Sequence, residues 1–129
     1  MTVIDLQASV RGEAADLDSF RIAGLLGDLG EAAAQRMLRR VLGEISDRVG
    51  RAEAAWTQRN TGALRKAAAR IVSLADQVGL SGLAHVAHDV TQLADADDPA
   101  ALAACVARLR RVGDTSVLAL WEYRGGACG

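Results

Sequence analysis

Apolar side chains recur along most of this chain at three- and four-residue intervals, the spacing that gathers them on one face of an α-helix. The clearest stretch is Leu64 to Val90, LRKAAARIVSLADQVGLSGLAHVAHDV, which reads as two amphipathic helices hinged at Gly79. In the first, Leu64, Ala67, Ala68, Ile71, Leu74, Ala75 and Val78 share a face that belongs in a core. Projection at 100° per residue puts Lys66, Ala69, Ser73, Asp76 and Gln77 opposite it, with Arg65 and Val72 on one border and Arg70 on the other. Ala69 therefore stands in the middle of an exposed, mostly polar face.

The same periodicity places the other elements. From Glu31, the positions Met37, Leu38, Val41, Leu42, Ile45, Val49, Ala52 and Trp56 run helically for about seven turns. Gly43 and Gly50 fall inside this helix, each at a cost of about 1 kcal/mol relative to Ala. They read either as points of close helix contact or, at Gly50, as a bend. Asn60 and Thr61 offer a cap for the helix that runs to Val78, and Gly79 supplies the permissive backbone at its end. Ser81 to Ala94 then buries Leu83, Val86, Ala87, Val90, Leu93 and Ala94.

Asp98 followed by Pro99 is the order expected at a helix start, with an N-cap and then proline at the first helical position. The last helix carries Leu102, Cys105, Val106, Leu109, Val112, Val117, Leu118 and Trp121, and Gly113-Asp114-Thr115 inside it reads as a break or a kink. Near the start of the chain, Asp16 or Asp18 caps a short helix bearing Leu17, Phe20, Ile22, Leu25 and Leu26, ended by Gly27 and Gly30. Residues 1–15 and 124–129 are expected to be a poorly ordered lead-in and tail.

Composition agrees with a helical reading. The 129 residues suit one domain, 1–129, and are 50% hydrophobic but only 3% aromatic, with a single proline, so the core is expected to be aliphatic. A net charge of -1 gives no bulk electrostatic case for nucleic acid or an anionic membrane. The arginine runs Arg36-Arg39-Arg40 and Arg108-Arg110-Arg111 lack interleaved aromatics and read as solvated helix faces. No apolar stretch approaches the roughly 20 residues that span a bilayer. Two cysteines, Cys105 and Cys128, make no disulfide framework, and the first residues lack the basic start and apolar run of a signal peptide, so the expected compartment is the cytoplasm. Without a glycine-rich phosphate loop, a nucleophile elbow or a catalytic carboxylate pair, neither enzymatic activity nor a cofactor is expected.

The helix 62 to 78 resembles the histidine-containing phosphotransfer (Hpt) domain of bacterial phosphorelays, whose signature is similar to A-H-x-L-K-G with a glycine ten residues after the histidine. Counting back ten from Gly79 reaches Ala69, so the local match is Ala68-Ala69-Arg70-Ile71-Val72-Ser73, with Ala69 for the histidine, Val72 for the lysine and Ser73 for the glycine. What matches is the apolar frame of Ala68, Ile71 and Val78, Gly79 at the helix end, and the following Leu83, Ala87 and Val90. The resemblance implies an all-α, up-down four-helix bundle of Hpt type with a short extra N-terminal helix over one end. It also implies docking to a response-regulator receiver or a histidine kinase in two-component signalling.

The resemblance also marks what is missing. Phosphotransfer of this kind needs an exposed imidazole nucleophile, and the alanine at 69 has none. The domain is thus expected to dock without accepting phosphate, through Arg65, Lys66, Ala69, Arg70, Val72, Ser73 and Asp76. Its basic collar of Arg65, Lys66 and Arg70 suits the acidic phosphorylation pocket of a receiver, while the competing reading is an ordinary charged helix surface. Two other functions stay open. His85 and His88 form H-x-x-H on the polar side of their helix, where either ring is a candidate relocated phosphoacceptor. A structural zinc site wants four ligands, and with Cys105 on an apolar stripe and Cys128 on the tail no metal is expected. The third possibility is a helical interaction or oligomerisation module unrelated to phosphorelay, with the alanine-rich faces and Trp56 or Trp121 as contact candidates; oligomeric state is left open.

Overall fold

The computed structural model describes Gly24, Gly27 and residues 30–128, with side chains as far as Glu122. Four helices account for nearly all of it: α1 (Glu31–Thr57), α2 (Thr61–Gln77), α3 (Ser81–Ala94) and α4 (Pro99–Cys128), with no strand element among the described residues. The expected short helix around Phe20 and the lead-in 1–15 lie outside the described residues.

Each helix packs on its neighbours in sequence, and α4 returns to α1. The four apolar stripes so enclose one core. Leu38, Ile45, Leu64, Ile71, Leu74, Leu83, Leu109 and Leu120 are among its largest fully buried side chains. No aromatic ring is wholly buried among the described residues, and small alanines such as Ala52, Ala68 and Ala87 fill the space between helices. Burying a Leu, Ile or Val side chain contributes about 1.5–3 kcal/mol, so these stripes drive the assembly.

The turns follow from local chemistry. At the end of α2, Gly79 takes φ 77°. The Leu80 N–H donates to the Ala75 carbonyl at 2.9 Å and the Gly79 N–H to the Asp76 carbonyl at 3.4 Å, the paired bonds of a Schellman ending. Leu80 is itself buried, and its carbonyl accepts from the Ala84 N–H of α3. One residue thus closes α2 and opens α3. Asp98 Oδ1 accepts the Ala101 N–H at 3.1 Å with Pro99 at the first position of α4, as the sequence predicts.

α1 ends in a second Schellman pattern: the Asn60 N–H donates to the Ala55 carbonyl at 2.8 Å and the Arg59 N–H to the Trp56 carbonyl at 3.0 Å. Here the left-handed residue is Arg59, φ 58°, where glycine is usual. Asn60 then caps α2, its side-chain oxygen accepting the Ala63 N–H at 3.0 Å.

Two expectations need correcting. Gly43 and Gly50 make no close helix contact: both are exposed, and a Cβ added to either meets nothing within 4 Å. The close approach occurs instead at Gly113, where an added Cβ lies 3.0 Å from Val49 Cγ2 of α1. Gly113-Asp114-Thr115 does not break α4, and the missing side chain at 113 lets two helices meet while the backbone stays helical. α4 spans Pro99–Cys128.

Candidate functional site: the exposed face of α2

The α2 side chains that face neither α1 nor α3 are those that the projection separates from the core. Arg65, Lys66, Ala69, Arg70, Ser73 and Asp76 are exposed, and Val72 is half-buried against the core. Ala68 and Ile71, on either side of the Ala69 position, are fully buried. The frame thus fixes α2 in rotation, and Ala69 presents only a methyl group to solvent.

Charges flank this face asymmetrically. Arg70 Nε donates to Glu44 Oε2 of α1 at 2.8 Å, and this bond holds the Glu44 carboxyl below its ordinary range, with lesser contributions from the charges of Arg48 and Arg40. Arg65 forms an ion pair with Asp95 at the end of α3. Lys66 makes no ion pair among the described residues. Two of the three collar cations are therefore straps to neighbouring helices, and one is uncommitted. Such half-exposed pairs are weak, so an acidic partner can compete for Arg65 and Arg70.

His85 and His88 both lie on the exposed side of α3. His85 Nε2 stands 3.7 Å from Asp89 Oδ2, and His88 Nε2 lies 3.4 Å from the amide nitrogen of Gln92. Among the described residues no group of three His, Cys, Asp or Glu side chains gathers as a metal would require. Cys105 is half-buried rather than fully buried, its thiol directed at the Val86 carbonyl at 3.9 Å. Burial, followed by the negative charge of Asp89, pushes the thiol up, away from the thiolate a nucleophile needs. In the second arginine run, Arg110 bonds Asp114 at 3.0 Å and pairs with Glu53 of α1.

Sequence reasoning missed a cleft of about 210 Å³ at one end of the bundle, formed by the end of α1, the start of α2, the end of α3 and the start of α4. Trp56 lies in its wall, and the Arg59 guanidinium sits 4.5 Å over the indole ring. The local signal was the absence of glycine in Thr57-Gln58-Arg59-Asn60, where one helix must end and another begin at once. Of the other tryptophan, Trp121, 45% is exposed, one turn beyond Leu118 at 56%. Comparison of the chain with protein-family models, with characterised proteins and with solved structures finds no match.

Proposed function

We propose that this protein is a non-catalytic Hpt-like docking protein of two-component signalling, binding a receiver or kinase domain through α2 without accepting phosphate. The observation that carries the reading is Ala69: it lies at the centre of an exposed helical face, one step from buried Ala68 and ten residues before the left-handed Gly79. An up-down bundle of Hpt type is supported by the end cleft, since successive helices bring alternate ends to it. The straps from Arg65 and Arg70 leave the ground between them open, and Lys66 supplies an uncommitted cation there. That arrangement offers steering and orientation to an acidic partner and no imidazole to take up a phosphoryl group.

The test is a titration of purified receiver domains against the native protein and against an Ala69→His, Val72→Lys, Ser73→Gly triple variant. Binding of one receiver by both, with phosphate gained only by the variant, supports a docking face stripped of its chemistry. If neither binds any receiver, the phosphorelay reading falls.

One observation favours a second reading, phosphotransfer through a relocated histidine. Asp89 sits near His85 on the same exposed helix face, as an orienting carboxylate would. Acid-labile label on His85 or His88 after incubation with a phosphorylated receiver would support it, and absence of label on both rejects it.

A further inference from the structure

The cleft at the bundle end is built differently from the α2 face. Its floor is apolar, with Trp56, Leu64, Leu102 and Pro99 contributing, and its rim carries one cation, Arg59, and one anion, Asp97. Arg59 adopts a left-handed backbone, φ 58°, which costs a residue with a Cβ about 1–2 kcal/mol. That conformation accompanies a guanidinium laid over Trp56. A guanidinium that stacks on a ring by its flat face keeps its in-plane N–H fork available for a carboxylate. The start of α2 opens beside it at Thr61, and the positive end of the helix dipole reinforces the attraction for an anion.

We propose that this cleft binds a free α-amino acid with an apolar side chain of about phenylalanine size, its carboxylate on Arg59 and its ammonium on Asp97. Volume sets the size of the occupant. At about 210 Å³ the space exceeds the roughly 150 Å³ cavity that admits benzene and falls short of the roughly 300 Å³ at which drug-sized sites begin. One ring with a short polar handle fits. Charge sets the class: a simple anion would meet repulsion from Asp97, a simple cation repulsion from Arg59 and the helix start, and a zwitterion satisfies both rims while its side chain covers the apolar floor. This site stands apart from the α2 docking face, and neither proposal depends on the other.

The experiment is a titration of the ¹⁵N-labelled protein with L-phenylalanine, followed at the Trp56 indole N–H and the amides of Thr61 and Gly62. Parallel titrations use 3-phenylpropanoate, which lacks the ammonium, and phenethylamine, which lacks the carboxylate. Saturable shifts confined to the cleft are expected, with L-phenylalanine at least about tenfold tighter than either analogue, the loss that follows from removing one charge-assisted hydrogen bond. Arg59→Gln and Asp97→Asn should each weaken binding by about tenfold or more. Both positions are exposed, so neither change removes a core contact. Absence of shifts at the solubility limit, binding of either analogue as tight as that of L-phenylalanine, or indifference to both substitutions overturns the proposal.

Discussion

Gly113 of α4 faces Val49 of α1 so closely that a Cβ on the glycine would stand 3.0 Å from a valine methyl. Val49 is buried and β-branched, so it has little rotamer freedom with which to retreat. An alanine at 113 gains about 1 kcal/mol of helix propensity and meets an overpacking cost of about 1–3 kcal/mol. Gly113→Ala should therefore destabilise the protein, by about 1 kcal/mol once the two effects are set against each other. Gly43→Ala and Gly50→Ala, whose added methyls meet nothing, should each stabilise by up to about 1 kcal/mol. Urea denaturation of the three variants checks the contrast, and equal behaviour would remove the close contact from the account.

Gly79 carries a second backbone dependence. Its φ of 77° is open to glycine at no steric cost, while a Cβ there costs about 1–2 kcal/mol. Gly79→Ala is expected to lower stability by that amount, and Gly62→Ala, in the first turn of α2 with only Asn60 Oδ1 near at 3.7 Å, should not. Thermal unfolding of the pair measures the difference.

The start of α4 depends on one side chain. Asp98→Ala removes the acceptor for the Ala101 N–H, for which a loss of about 1 kcal/mol is typical. Asp98→Asn, which keeps an acceptor oxygen, should restore most of it. If the alanine and asparagine variants melt together, the cap contributes nothing.

The Arg70 to Glu44 strap predicts a pH dependence. Glu44 is held below its ordinary carboxyl value chiefly by the hydrogen bond from Arg70, so its contribution is present above the unfolded-state value and is lost as pH falls through the lower folded one. Stability should thus decline on the acid side of the ordinary carboxylate range. Glu44→Gln should flatten that decline while leaving the neutral-to-basic limb parallel to that of the native protein. The pair is solvent-exposed, so raising the salt concentration should shrink the difference.

Receiver docking, where it occurs, should respond to the collar. Reversing Arg65 and Lys66 to Glu is expected to abolish binding, but the change at 65 also sets a carboxylate against Asp95. The neutral pair Arg65→Gln, Lys66→Gln separates the effects: it should slow association and weaken the salt dependence without introducing repulsion inside the protein. Unchanged affinity in both double variants would exclude the collar from the interface.

The sequence by itself determined the four described helices, the side each turns inward as far as Val112, the starts at Asn60 and Asp98 and the reversal at Gly79. All of these rest on interactions within about one or two helical turns, where a 3.6-residue period, a capping oxygen or a missing Cβ suffices. It also placed Ala69 on an exposed face, because exposure on an amphipathic helix is the complement of its apolar stripe. Beyond Gly113 it set Leu118 and Trp121 among the apolar-face residues, whereas Ser116 and Leu120 are the buried ones and those two are exposed. Tertiary structure decided what lies across from what. Glycine is equally small at 43, 50 and 113, and only the rotation and axial registry of α4 against α1 bring Val49 to the last of them. Arg65 and Arg70 look alike as surface cations until α3 and α1 supply Asp95 and Glu44. The end cleft belongs wholly to this second kind, since its wall joins segments from Ala55 to Leu64 and from Ala94 to Leu102. Their meeting depends on how the packed helices align, which no local pattern encodes.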